Sequence, residues 1–226
     1  MLDLMVDAER EFEEFRENLL RECNILFDRF SLMKRLRDAY EDEKERHVLE
    51  MSPAFWYHVR SALYQSSILS VTKLLSETEG RLRNFLNFIS KNLGMFEEEN
   101  FKRRTSGTQE FIPVLPETVR LDRKRIDKLL KKVLENFKVR RNGEVAHLDQ
   151  QYFLMPEKVI EDAPIEWGEL DKIMIVVDEV FNRYSRAFDG DVYKLGARDI
   201  SDINIVLSIL REHRERFWQI DAAGQG

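Results

Sequence analysis

The chain has 226 residues, 43% of them hydrophobic and 35% charged, which gives it length and apolar content for a core of domain size. Nine Gly and five Pro are few, and the abundance of Leu, Glu, Lys and Arg favours helix over strand, so the expected fold class is all-α. A net charge of −6, if evenly spread, argues against a nucleic-acid partner, and a lone cysteine, Cys23, excludes an internal disulfide framework and a multi-cysteine zinc site.

The start, Met1 to Phe12, is acidic and lacks the apolar core of a signal peptide, and no run approaches the ~18 apolar residues that span a bilayer. A cytoplasmic location without membrane contact is expected. Two mixed-charge helices should fill Asp7 to Glu50, with Phe12, Phe15, Leu19, Leu20 and then Leu26, Phe27, Phe30, Met33, Leu36 and Tyr40 at helical spacing. Ser52-Pro53 reads as a helix start, because Ser caps well and Pro at the first position lacks only an N–H that would be unpaired anyway. The segment that follows, to about Ser76, is apolar or small on most sides and is expected at the centre of a bundle, with His58 packed inside as a structural histidine.

Gly80 ends that unit, and Arg81 to Leu93 reads as a shorter helix stopped by Gly94. From 95 to 116 the periodicity fails, and this polar stretch with Arg103-Arg104 is expected to be a mobile connection, including at most a short helix. The next helix, Glu117 to Asn142, is basic: its apolar stripe is Ile126, Leu129, Leu130, Val133, Leu134 and Phe137, and its exposed side holds Lys124, Lys128, Lys131, Lys132 and Lys138. Residues 120–141 carry a local charge of +7, which leaves −13 on the remainder, so a basic strip lies on an acidic body. Such a strip either binds RNA or is a solvated face paired with acidic neighbours. Two more helices, Glu169 to Phe188 and Asp199 to Phe217, close the chain, and no linker composition divides 1–226 into separate domains.

The chemistry concentrates in Arg141-Asn142-Gly143-Glu144-Val145-Ala146-His147. Four residues beyond Phe137, the stripe reaches Arg141, and an arginine on an inward face is unusual without a partner. Asn142-Gly143 reads as a helix stop, since both residues tolerate positive φ. His147 is the histidine placed beside cations and a polar turn, and imidazole suits proton transfer near neutral pH; His47 and His213 read as surface residues. On one regular helix, six residues at about 100° each would leave His147 roughly 120° away from Arg141. Distortion at Gly143, or a second copy across a two-fold axis, must then bring both groups to one phosphate. No Gly-rich phosphate loop, nucleophile elbow or metal-binding spacing is present, so neither a cofactor nor a metal is expected.

An arginine, an amide and a histidine at the end of a long helix in an all-α chain resemble the R-x(4–6)-H signature of HEPN ribonuclease domains. The aromatic-led segment Phe55 to Leu75 and Ala146-His147-Leu148-Asp149 resemble the AbiU-type branch, linked to bacterial abortive infection. The resemblance implies one HEPN-like helical bundle over residues 1–226, with additional N-terminal and C-terminal helices. It implies a metal-independent endoribonuclease, a toxin or antiphage effector, that acts on RNA as a homodimer with an antitoxin protein as a further partner. Arg141, Asn142 and His147 would be catalytic, and Arg140, Lys138 and Lys131 would contact RNA. The chain departs from the R-x4-H-x-Y form of HEPN toxins silenced by adenylylation: Asp149 stands two residues after His147, and the nearest tyrosine is Tyr152. Silencing at that position therefore loses its support, and Asp149 reads either as an orienting partner of His147 or as a surface acid. Two other readings stay open: an inactive HEPN scaffold that binds RNA, nucleotide or a partner protein, and a structural Arg141 bonded to a core carboxylate beside an incidental His147.

Overall fold

The computed structural model describes residues 2–76, 80–145, 158–196 and 199–223, and every regular element among them is helical. Helix α1 (Leu2–Glu41) ends one residue before Asp42, whose carboxylate accepts the Glu45 N–H at 2.9 Å and opens the short α2 (Glu43–Leu49). Helix α3 (Pro53–Leu75) begins on the expected proline, with the Ser52 carbonyl accepting its first bond from Trp56 N–H. Gly80 then caps α4 (Arg81–Lys91); a Cβ there would run into the backbone of Ser76, so close approach rather than unusual φ demands the glycine.

The stretch expected to lack periodicity holds a 3₁₀ turn (Leu93–Phe96) and α5 (Glu98–Thr105), with Met95, Phe96 and Phe101 buried. Gly94 lies inside the turn and does not stop α4. The remaining helices are α6 (Pro116–Arg140), a π-helical turn (Arg141–Val145), α7 (Lys158–Asp162), α8 (Trp167–Asp189) and α9 (Ser201–Ala223). Glu169 Oε2 accepts the Glu166 N–H at the start of α8, and Gly190, at φ +83°, ends that helix in the left-handed conformation.

The chain divides into two compact units. The first comprises Met1–Cys23 and Ile68–Leu195. Its core is aromatic: Phe12 stacks on Phe85 at 5.5 Å, meets Phe188 at 4.4 Å and Phe96 edge-on at 5.6 Å, with Phe181 and Tyr184 buried alongside. Rings that meet edge-on and offset add about 1 kcal/mol per pair to their burial. The second unit comprises Asn24–Ser67 and Gly196–Gly226, and its core joins Leu36, Ala39, Val48, Leu49, Trp56 and Leu207. The start of α3, in this unit, is not buried on all sides as its composition implied, since Ala54, Phe55, Tyr57, His58 and Arg60 are exposed, whereas Ile68, Val71, Leu74 and Leu75 farther along the helix are buried. His58 is therefore a surface residue, its ring 5.5 Å from that of Tyr57, and not a packed core histidine. A segment apolar on all sides fits a buried helix and a helix with an open apolar face equally well, and the neighbours decide between them.

Candidate active site at the end of α6

Along α6 the inward stripe runs through Val119, Ile126, Val133, Leu134 and Phe137. The side chains of Leu129 and Leu130 lie outside the described residues. Beyond Phe137 the stripe steps by three residues rather than four, so the inward arginine is Arg140 and not Arg141: Arg140 is 6% exposed, and its Nε donates to the Ala163 carbonyl at 2.7 Å. This bond ties the end of α6 to the residue just after α7; Val159 within α7 and Ala163 are fully buried. Arg140 was expected as a second cation facing RNA; its burial gives it an anchoring position instead. Asn136 adds a second tie, donating from Nδ2 to the Pro164 carbonyl at 2.6 Å.

Arg141 is half-buried, and both its Nε and Nη2 donate to Oδ1 of the adjacent Asn142, at 3.1 and 3.0 Å. The planar guanidinium is thereby held by one edge, a geometry that a lysine could not reproduce. Among the described residues no carboxylate bonds Arg141. Asn142-Gly143 does not stop the helix. The backbone continues through Arg141 with helical φ −57° and ψ −45°, then widens into the π turn over Arg141–Val145, with Gly143 buried inside it. A glycine in a helix costs about 1 kcal/mol relative to alanine, and π turns are rare and frequently found at functional sites. Both features therefore sit where local stability alone would not put them. His147, Asp149 and Tyr152 lie outside the described residues.

Lys138 is half-buried in the last turn of α6, and with Arg140 it complements the carbonyl end of the helix. Lys131 is exposed and lines a groove of ≈250 Å³ with Arg83, Asp127 and Leu134. Several other cations of the basic strip are engaged in structure: Arg120 pairs with Glu117, Arg125 with Glu179, and Asp127 accepts from Arg83, while Arg123 reaches the Leu86 carbonyl at 3.2 Å. Among the described residues of the strip, Lys124, Lys128 and Lys131 are exposed, as is Arg120. On the opposite side of α6, Asp122 is 3% exposed, accepts from the Tyr184 hydroxyl at 2.8 Å and forms an ion pair with Arg183, whose Nε lies 3.3 Å away. Burial, and then the bond to this carboxylate, push the Tyr184 phenol above its usual range.

A second arginine pair emerges in α5, where sequence alone offered only a polar stretch. Arg103 and Arg104 both donate to the Glu9 carboxylate, and Arg104 also reaches the carbonyls of Phe188 and Met95 at 2.7 and 2.6 Å, with its guanidinium 4.0 Å from the Phe188 ring centroid. Nearby Arg16 pairs with Asp189 at 2.5 Å over the rings of Phe12, Phe188 and Tyr193. Sequence held one signal for this, the inward register of Glu9 beside Phe12 on α1, but not the partner 94 residues away.

Among the described residues no helix is long and apolar enough to cross a membrane. No curated protein and no solved structure matches the chain. The family model described as AbiU2 matches residues 6–206, a span that takes in every element from α1 to the start of α9. With that span covering most of its length, the chain belongs to the AbiU2 family of HEPN domains.

Proposed function

We propose that the protein is a metal-independent endoribonuclease of an abortive-infection system, working as a homodimer in which two Arg141–His147 segments share one cleft. The observation that carries this reading is the Arg141–Asn142 pair: a guanidinium held edge-on by an amide, in a π turn, at the end of the helix whose sequence resembles the R-x(4–6)-H signature. In the proposed reaction the ribose 2′-oxygen attacks the adjacent phosphorus, the bond to the 5′-oxygen breaks, and a 2′,3′-cyclic phosphate and a free 5′-hydroxyl result. The 2′-OH proton goes to one His147 as base, and the leaving oxygen takes a proton from the other as acid; such proton transfer contributes on the order of 10²- to 10⁴-fold. Arg141 stabilises the charge that develops on the phosphoryl oxygens, and Asn142 sets its orientation. Lys131 and Lys138 contact the RNA backbone, and Arg140 holds the helix end in register from inside.

The test is cleavage of a labelled RNA in EDTA. The wild-type protein should give 2′,3′-cyclic phosphate ends and the His147→Ala variant should give none. Cleavage retained in the variant at the wild-type rate removes His147 from the mechanism. Salt-sensitive RNA binding without cleavage in the wild type would leave a binding scaffold in place of an enzyme.

A further inference from the structure

One ridge of α6 runs from Arg141 back to a groove. At about 100° per residue Asp127, Lys131, Leu134, Lys138 and Arg141 fall within about 80° of one another, and spacing that alternates four and three carries the ridge over about 21 Å. Asp127 is the acid of this ridge; Glu135 lies about 40° beyond its edge, on the far side of Lys131. At the Asp127 end the ridge faces α4. Arg83 meets Asp127 while Arg123 reaches the Leu86 carbonyl, so the two helices run antiparallel, and Arg83, Asp127, Lys131 and Leu134 line the groove of ≈250 Å³ between them. That is below the ~300–1,000 Å³ of pockets that take whole drug-sized ligands, and it suits a single planar base.

The charges of the groove choose its occupant. Arg83 Nη2 donates to Asp127 Oδ1 at 2.5 Å, and the two charges offset each other, so the groove lacks the cluster of cations that a second buried phosphate would need. Asp127 keeps an open side: its side chain is 52% exposed, and Oδ2 accepts no bond among the described residues. Lys131 beside it is exposed and forms no ion pair among the described residues. An ionised carboxylate only accepts, so it selects a base edge that presents N–H donors side by side. Guanine has two such donors, N1–H and the 2-amino group. Adenine and cytosine set one amino group beside an acceptor nitrogen that repels a carboxylate, and uracil sets one N–H between two carbonyls.

We infer that the groove between α4 and α6 is a guanine subsite for the RNA substrate. Asp127 accepts N1–H and the 2-amino group, Arg83 positions that carboxylate through its bond to Oδ1, Leu134 touches the base, and Lys131 takes the phosphate of the same nucleotide. With the scissile phosphate on Arg141 at the other end of the ridge, the cut falls at a fixed offset from a guanine. The inference rests on the proposed reading of Arg141 as the residue that holds the scissile phosphate.

The test is binding of short labelled uridine oligomers that carry one guanine, adenine or inosine, all 2′-O-methylated so that the 2′-oxygen cannot attack. The full-length wild type should bind the guanine oligomer about tenfold more tightly than the adenine one, and inosine, which lacks only the 2-amino group, should fall at least about threefold below guanine. Asp127→Asn replaces one acceptor with a donor and should bring guanine and adenine within about twofold of each other. Lys131→Ala should weaken all three oligomers alike and lower the salt slope by about one. Equal binding of guanine and adenine by the wild type, inosine bound as tightly as guanine, or a guanine preference that survives Asp127→Asn each overturns the inference. The inosine arm alters only the RNA, so it decides the matter even if a variant folds poorly. Guanine-selective binding by a protein that cuts no unmodified RNA would keep the subsite and remove the enzyme. Cleavage indifferent to the base would keep the enzyme and remove the subsite.

Discussion

Two arginine pairs in the first unit, Arg103-Arg104 in α5 and Arg140-Arg141 at the end of α6, are identical as dipeptides and differ in what they hold. In the α5 pair both guanidinium groups converge on Glu9, and Arg104 spends its remaining donors on two carbonyls and stacks on Phe188. In the α6 pair only Arg140 is engaged in this way, on the Ala163 carbonyl, while Arg141 is held by a neutral amide from the next residue. A carboxylate partner neutralises an arginine, whereas an amide partner orients it and leaves its positive charge for an anion. By this measure the α5 pair is fold and the α6 pair divides, Arg140 holding the fold and Arg141 being the residue on which the proposed chemistry rests.

The largest effect that tests the contrast belongs to Glu9. Glu9→Ala leaves the Arg104 guanidinium in a site that is 10% exposed without its counter-charge, and removing one partner of a buried pair costs about 3 kcal/mol. Thermal unfolding should fall by roughly 6–12 °C, and a change of less than about 2 °C would erase the distinction between the pairs.

Arg141→Ala should show the reverse profile, with cleavage reduced at least ~100-fold and stability altered by about 1 kcal/mol or less. Arg141→Lys should recover little, since a point charge cannot take two bonds on one amide oxygen in a plane. Should Arg141→Ala unfold as readily as Glu9→Ala, both pairs are structural. Arg140→Ala then sharpens the split inside the α6 pair: loss of a buried bond to Ala163 should cost about 1–2 kcal/mol, while turnover per folded molecule drops less than about tenfold.

A smaller effect sets the window in which such rates can be read. Burial pushes the Cys23 thiol from 9.0 up to about 12 and moves the Tyr184 phenol upward as well. Each group holds its proton more tightly folded than unfolded, so the stability linked to them is complete below about pH 9 and is lost as pH rises toward the folded values. The urea midpoint should be flat through neutral pH and decline above about pH 9. A cleavage profile that bends below that pH therefore reports on the site and not on unfolding.

Helix existence was legible wherever periodicity ran for several turns, as in α6, α8 and α9, because a 3.6-residue repeat of apolar groups leaves one packing solution. The start of α3 at Pro53 was equally plain, being written in a cap and a proline. Three other features were not. The choice between Arg140 and Arg141 as the inward residue turns on whether a stripe steps by three or four after Phe137, and the position of Ala163, fixed by distant packing, decides it. Asn142-Gly143 carries the composition of a stop, yet the chain continues as a π turn, because glycine permits a left-handed cap without requiring one. The exposure of Phe55 and His58 on α3 escaped for the same reason: composition records that a face is apolar and leaves its partner unspecified.

The π turn at Arg141–Val145 also bears on insertions and deletions. A turn of this kind takes up one residue more than an α turn without ending the helix, so removing a single residue from it would return the backbone to α geometry and leave the chain downstream close to its original orientation, whereas the same deletion in a regular helix would rotate it by about 100°. The number of residues that follows the arginine is thus free to vary by one where a regular helix would forbid it.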